Sequence, residues 1–136
     1  MLCRRLAALL GLVLLLALPA GAQQPEELAQ LRLLAEDLKI ASNLAFQQAH
    51  AVSPSAPCTI KLGSFASAAS SFYAAVPQLL QQPDQLMVRF GQLEQKFQAV
   101  RPVVQADAPA PVALTFQWSE MLMVKMGMYF GQNLSQ

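Results

Sequence analysis

The sequence contains few of the side chains that carry catalysis or bind metals. It has one histidine, two cysteines and 12% charged residues in a chain of 136 residues. No C-x-x-C-H occurs, which excludes covalent haem of the cytochrome c kind, and no glycine-rich loop is present to hold a phosphate. No serine lies in the strand–turn–helix context of a hydrolase nucleophile. We therefore expect no enzyme activity and no bound cofactor.

The first 22 residues have the pattern of a secretory signal peptide. Arg4 and Arg5 precede an uninterrupted apolar run over residues 6–18, and Pro19 and the small residues 20–22 follow it. A membrane-spanning helix needs about 20 residues, and this run is shorter. We predict cleavage after Ala22, which leaves residues 23–136 as one domain exported to the periplasm or the extracellular space. An uncleaved signal anchor is the alternative.

The chain that remains after cleavage carries little net charge and one cysteine. It has 114 residues, of which seven are basic and eight acidic, for a net charge of −1. No basic cluster is available to neutralise phosphates, so we expect no nucleic-acid partner. Cys58 cannot pair within this chain. We expect it to be a buried thiol, an interchain disulfide or, at a helix start, a reactive thiolate.

Apolar residues recur at helical spacing in four segments, at about 26–51, 60–80, 84–101 and 112–134. The third segment has the clearest pattern, with steps of four and three through Leu86, Phe90, Leu93, Phe97, Val100 and Val104. Seams of this kind line the cores of antiparallel helical bundles. No segment alternates as a strand does. The sequence predicts an all-α protein, a small four-helix up-and-down bundle.

Prolines mark the breaks between these segments. Pro83 suits the first position of a helix, where its missing N–H costs nothing. Pro77 is expected to kink the second helix or to stop it near Ala75, with a short turn after it. Pro102 is expected to end the third helix, so residues 101–111 are predicted to form an extended segment lying on the bundle.

Four of the six methionines lie within eight residues, between positions 121 and 128. Thioethers are ligands for soft Cu(I), so the candidate metal ligands are Met121, Met123, Met126, Met128 and His50. A helix turns by about 100° per residue, which places the first and last of these methionines on one line and the middle two on the opposite side. One helix cannot direct all four sulfurs at one ion. Packing is the favoured interpretation, because methionine fills irregular gaps in cores.

The fourth segment is apolar on nearly every side, as in a helix that is buried or that spans a membrane. Glu120 and Lys125 interrupt it, and a central charge costs about 2.5–3.5 kcal/mol on insertion scales, so we predict no stable membrane span after cleavage. Either the bundle buries this helix, or an exposed apolar face contacts a partner. The candidate contact residues are Trp118, Met123, Met126 and Phe130.

These observations predict an exported, non-enzymatic helical protein that acts by binding. Its contact surface is expected on the fourth helix, and its partner is another protein or a second copy of the chain. The alternative is a carrier that holds a small apolar ligand, or a soft metal such as Cu(I), within the bundle.

Overall fold

The computed structural model is all-helical over the residues it describes, which are 2–131 for the backbone and 26–131 for the side chains. Four α-helices follow one another: α1 (Leu2–Val52), α2 (Pro57–Ala75), α3 (Pro83–Asp107) and α4 (Ala110–Tyr129). A short 3-10 turn, Val76–Gln78, follows α2. Between residues 2 and 131 there is no strand. The fold is a helical bundle, as the spacing of the apolar residues predicted.

The chain divides into two compact units after Gln30. The first contains the N-terminal part of α1, and the second, from Leu31 onward, contains the core. The first helix was predicted from about residue 26, whereas α1 begins at Leu2. The leader is rich in leucine and alanine, which are strong helix formers. The side chains of the predicted signal peptide, residues 1–22, lie outside the described residues, and its cleavage stays a prediction.

Two of the helix boundaries follow from proline. α3 begins at Pro83, in the position where a missing N–H is tolerated. α2 ends at Ala75 and the 3-10 turn contains Pro77, as predicted for a residue that cannot continue a helix.

The prediction of an extended segment at residues 101–111 was wrong. α3 continues through Pro102 to Asp107, and only Ala108 and Pro109 separate it from α4. An internal proline costs a helix about 3 kcal/mol. Pro102 itself is exposed, and Val100 and Val104 on either side of it are buried in the core. Their burial holds the last turn and a half of α3 in place, because each contributes roughly 1.5–3 kcal/mol.

α4 ends at Tyr129 and not near residue 134. Gly131 follows with a φ of 71°, the left-handed conformation that commonly closes a helix and that glycine adopts without strain. Gly131 is the sequence feature from which the end of α4 could have been predicted. Residues 132–136 lie outside the described part of the chain.

Phenylalanines from three helices form the centre of the core. Phe65 of α2, Phe97 of α3 and Phe116 of α4 make a central layer, with ring centroids 5.8–6.1 Å apart. A second layer joins Phe72 of α2 to Phe90 of α3, and Phe90 stacks on Phe130. α1 closes the core with small and apolar residues, chiefly Leu31, Ala35, Leu38, Ala41, Ala45 and Ala49. Small side chains let neighbouring helices approach α1 closely.

Contacts between α1 and α2 are made at three levels along the helices. Near the loop, the Thr59 hydroxyl donates a hydrogen bond to the Ser53 carbonyl at 2.7 Å. In the middle, the Phe46 ring lies over Gly63, where an added Cβ would be only 3.0 Å from the ring. Further along, the Lys39 ammonium lies 5.0 Å from the centre of the Tyr73 ring. None of the helices searched within the described residues has the length and apolar content needed to cross a membrane.

Candidate functional site

α4 carries two apolar seams on opposite sides. The inner seam is buried and is formed by Val112, Phe116, Met123 and Met126, with the polar Ser119 among them. The outer seam is exposed, and we call its apolar members the outer face of α4: Leu114, Trp118, Met121, Val124 and Met128. Positions 114, 118, 121, 125 and 128 are spaced by four and three residues, which places them along one side of a helix. Lys125 is the charged residue on this line.

The outer face is unusually apolar for a surface helix. The exposed fractions of its five side chains run from 36% for Trp118 to 71% for Met128. Single exposed apolar residues are normal, whereas a contiguous apolar patch marks an interaction site. Aromatic residues and methionine are the types that protein interfaces favour. This surface is therefore the strongest candidate for a contact site among the described residues.

The four methionines separate into the two pairs that helical geometry predicts. Met123 and Met126 have no exposed surface, whereas Met121 is 49% exposed and Met128 is 71% exposed. The inner pair fills the core, and the outer pair lies on the surface. The helix therefore does not bring the four candidate metal ligands together. His50 lies at the end of α1, exposed, with its ring 5.6 Å from that of Phe46.

The candidate contact residues do not share one surface. Trp118 belongs to the outer face of α4, but Met123 and Met126 are buried in the folded bundle. Phe130 is half-buried and stacks on Phe90 with ring centroids 4.7 Å apart. Three of the four residues named from the sequence therefore add little or nothing to the exposed surface of α4. The overlooked signal was the second seam through Leu114, Met121 and Met128.

The Cys58 thiol lies at the start of α2 and is buried. Burial raises the pKa of this thiol above its ordinary value, and the carboxylate of Asp107 acts in the same direction. Both effects disfavour the thiolate that reacts with electrophiles and disulfides. No group of three or more histidine, cysteine, aspartate or glutamate side chains within the described residues could hold a metal ion.

We expect the Cys58 thiol to react slowly with a maleimide at pH 8, at least about tenfold more slowly than in denaturant, because reaction requires local opening. Because folding raises the pKa of the Cys58 thiol, this group makes its full contribution to folding stability at pH values below its ordinary pKa. The contribution is lost as the pH rises through the pKa of the folded state. Asp107→Asn is expected to speed the reaction modestly. Native labelling as fast as in denaturant, or a dimer on a non-reducing gel, would contradict a buried thiol.

A groove between α2 and α3 was not predicted from the sequence. Its volume is about 360 Å³, and its lining includes the cations Arg89 and Lys96 and the apolar Phe72 and Leu93. Pockets of roughly 300–1,000 Å³ hold small molecules, and two cations favour an anionic group. The sequence signal is the separation of Arg89 and Lys96 by seven residues, which places both on one side of α3.

No family model, curated protein or solved structure matches the chain.

Proposed function

We propose that this protein is an exported, non-enzymatic binding protein that contacts another protein chain through the outer face of α4. The observation that carries the proposal is the exposed seam of Leu114, Trp118, Met121, Val124 and Met128. Covering such a surface removes apolar area from water, which contributes about 25 cal/mol per Å² before the costs of association. Trp118 and the flexible methionines suit a helix or groove laid against this face.

We further propose that the four helices form an up-and-down bundle. The ring pairs support this arrangement. Along α2 and α3 the contacts run from Phe65 with Phe97 to Phe72 with Phe90, so one residue number rises as the other falls. In this topology the core packs against the inner face of α4, and the outer face is available to a partner. Export rests on the leader pattern of residues 1–22, with its charged start, short apolar run and small-residue cleavage site.

A carrier of a small ligand is the second candidate, and the groove between α2 and α3 supports it. The cations Arg89 and Lys96 would face an anionic group, and Phe72 and Leu93 would contact an apolar body. This groove is distinct from the methionine segment, which contains four of the candidate metal ligands named from the sequence. A Cu(I) carrier would require thioether sulfurs to converge, and the outer pair, Met121 and Met128, is separated by about 10.5 Å along the helix.

The test is native mass spectrometry of the protein isolated from the exported fraction of its own host. Three forms are compared: the natural chain, Met121→Glu on the outer face of α4, and Met87→Glu as the matched control. Met87 is 45% exposed on α3, close to the 49% of Met121. A charge on the outer face is expected to release the bound chain, because the carboxylate would lose its water in the interface and Lys125, four residues away, offsets only part of that cost. The control is expected to keep it.

Two results would contradict the proposal. A natural chain that is monomeric and empty at high concentration would exclude a stable partner. Equal release by Met121→Glu and Met87→Glu would place the contact elsewhere. Bound copper or an organic molecule, which the same spectrum would show as added mass, would favour the carrier instead.

A further inference from the structure

We infer that the partner on the outer face of α4 is a second copy of this chain, bound antiparallel about a twofold axis at Met121. This inference rests on the proposed function and deepens it by naming the occupant of the surface. It follows from the spacing of the exposed side chains, from the position of the charge among them and from the area they offer.

The exposed seam is symmetric about its own centre. Leu114 and Met128 each lie seven residues from Met121, about 10.5 Å along the helix on either side. A twofold axis through Met121, perpendicular to α4, therefore creates two equivalent pairs, each of Leu114 from one copy with Met128 from the other. Met121 meets its own counterpart. The same patch on both copies is the requirement for a closed twofold interface.

The position of Lys125 decides the orientation of the two helices. In a parallel pair, each residue of the seam faces its counterpart, so the two Lys125 ammonium groups would meet and repel. In the antiparallel pair, Lys125 of one copy lies at the level of Trp118 and Gln117 of the other. An ammonium over an indole face is attracted to the ring, and the Gln117 carbonyl accepts a hydrogen bond. The charge of Lys125 is thus stabilised in the antiparallel pair and repelled by its counterpart in the parallel pair.

The area is sufficient for a weak dimer. From the exposed fractions of its five side chains, the outer face of α4 offers roughly 500 Å² per copy, or on the order of 1,000 Å² for the pair. Stable interfaces bury about 1,200–2,000 Å² in total, and transient ones bury less. An interface of this size is typical of transient complexes, so we expect rapid exchange between monomer and dimer.

The experiment is cysteine crosslinking of the exported protein in a Cys58→Ala background, under mild oxidation and with a short bis-maleimide. Met121→Cys is expected to give a covalent dimer by itself. Leu114→Cys and Met128→Cys are each expected to stay monomeric alone and to crosslink when mixed. Met87→Cys on α3 is the control that should not crosslink. Because all four positions are exposed, far-ultraviolet circular dichroism should show the natural helical content in every variant.

Sedimentation velocity of the natural chain gives an independent measurement without any substitution. The average mass should rise with concentration toward that of a dimer, and Met121→Glu should abolish the rise. Crosslinking of Leu114→Cys to itself and of Met128→Cys to itself would overturn the antiparallel arrangement. A chain that stays monomeric at every concentration would overturn the dimer. If Met121→Glu then still released a different protein in the native spectrum, the proposed function would stand and this inference would fall alone.

Discussion

Met123→Glu is expected to destabilise the bundle strongly, whereas Met121→Glu, two residues away on the same helix, is expected to leave its stability nearly unchanged. Met123 has no exposed surface and Met121 is 49% exposed. A carboxylate at position 123 would lie among apolar side chains without a partner, and an uncompensated buried charge costs about 3–5 kcal/mol. A small domain has only about 5–15 kcal/mol of stability to lose. Substitutions at exposed positions usually change stability by less than about 0.5 kcal/mol.

Urea unfolding followed by circular dichroism measures both variants. Met123→Glu should show little helix or a midpoint far below that of the natural chain, and Met121→Glu should keep the natural midpoint. Met126→Glu is the matched second core variant, because Met126 is as fully buried as Met123. If Met121→Glu destabilised the chain as strongly as Met123→Glu, the outer pair of methionines would belong to the core and α4 would have no free face.

The difference between positions 121 and 123 also determines which substitution can test the proposed contact surface. A glutamate at position 123, which the sequence favours as a contact residue, would weaken binding by destabilising the folded protein. The loss would then say nothing about a partner. Position 121 separates the two effects, since it lies on the outer face of α4 and outside the buried core.

Most of the fold could be predicted from the sequence because apolar residues recur at helical spacing. In α3 one apolar seam runs the length of the helix, and each of its residues at four- and three-residue spacing, from Leu86 to Val104, is buried. α4 is different because both of its faces carry apolar residues at that spacing. Spacing alone could not determine which seam enters the core. The choice depends on long-range packing, since Phe116 on the inner seam meets Phe65 and Phe97 from two other helices.

Local rules failed where tertiary packing outweighed them. Pro102 was expected to end α3 because a proline removes a helical hydrogen bond. The helix continues because Val100 and Val104 are held in the core on the side away from the exposed proline. The groove with Arg89 and Lys96 was missed for a related reason. A pair of cations on one helix becomes a site only when the neighbouring helix supplies the other wall, here with Phe72.

Phe116→Ala is expected to cost about 3–5 kcal/mol of unfolding free energy, the range for truncating a buried phenylalanine. Phe116 is 1% exposed, and its ring touches those of Phe65 and Phe97, with centroids 6.1 and 5.8 Å away. Truncation leaves a cavity at the point where three helices meet. Neighbouring rings can fill it only by leaving their preferred rotamers, so the site collapses poorly.

Phe130→Ala is the matched control, because it removes the same atoms at a half-buried position directly after the end of the same helix. Phe130 stacks on Phe90 near the end of the bundle, where water can occupy the space that truncation opens. Its cost should therefore be clearly smaller than that of Phe116→Ala. Both variants should keep the association that we propose, since neither residue lies on the outer face of α4. Equal costs in urea unfolding would mean that the central aromatic layer is not the main source of stability. A loss of association by a folded Phe130→Ala would extend the contact surface around the end of α4 toward α3.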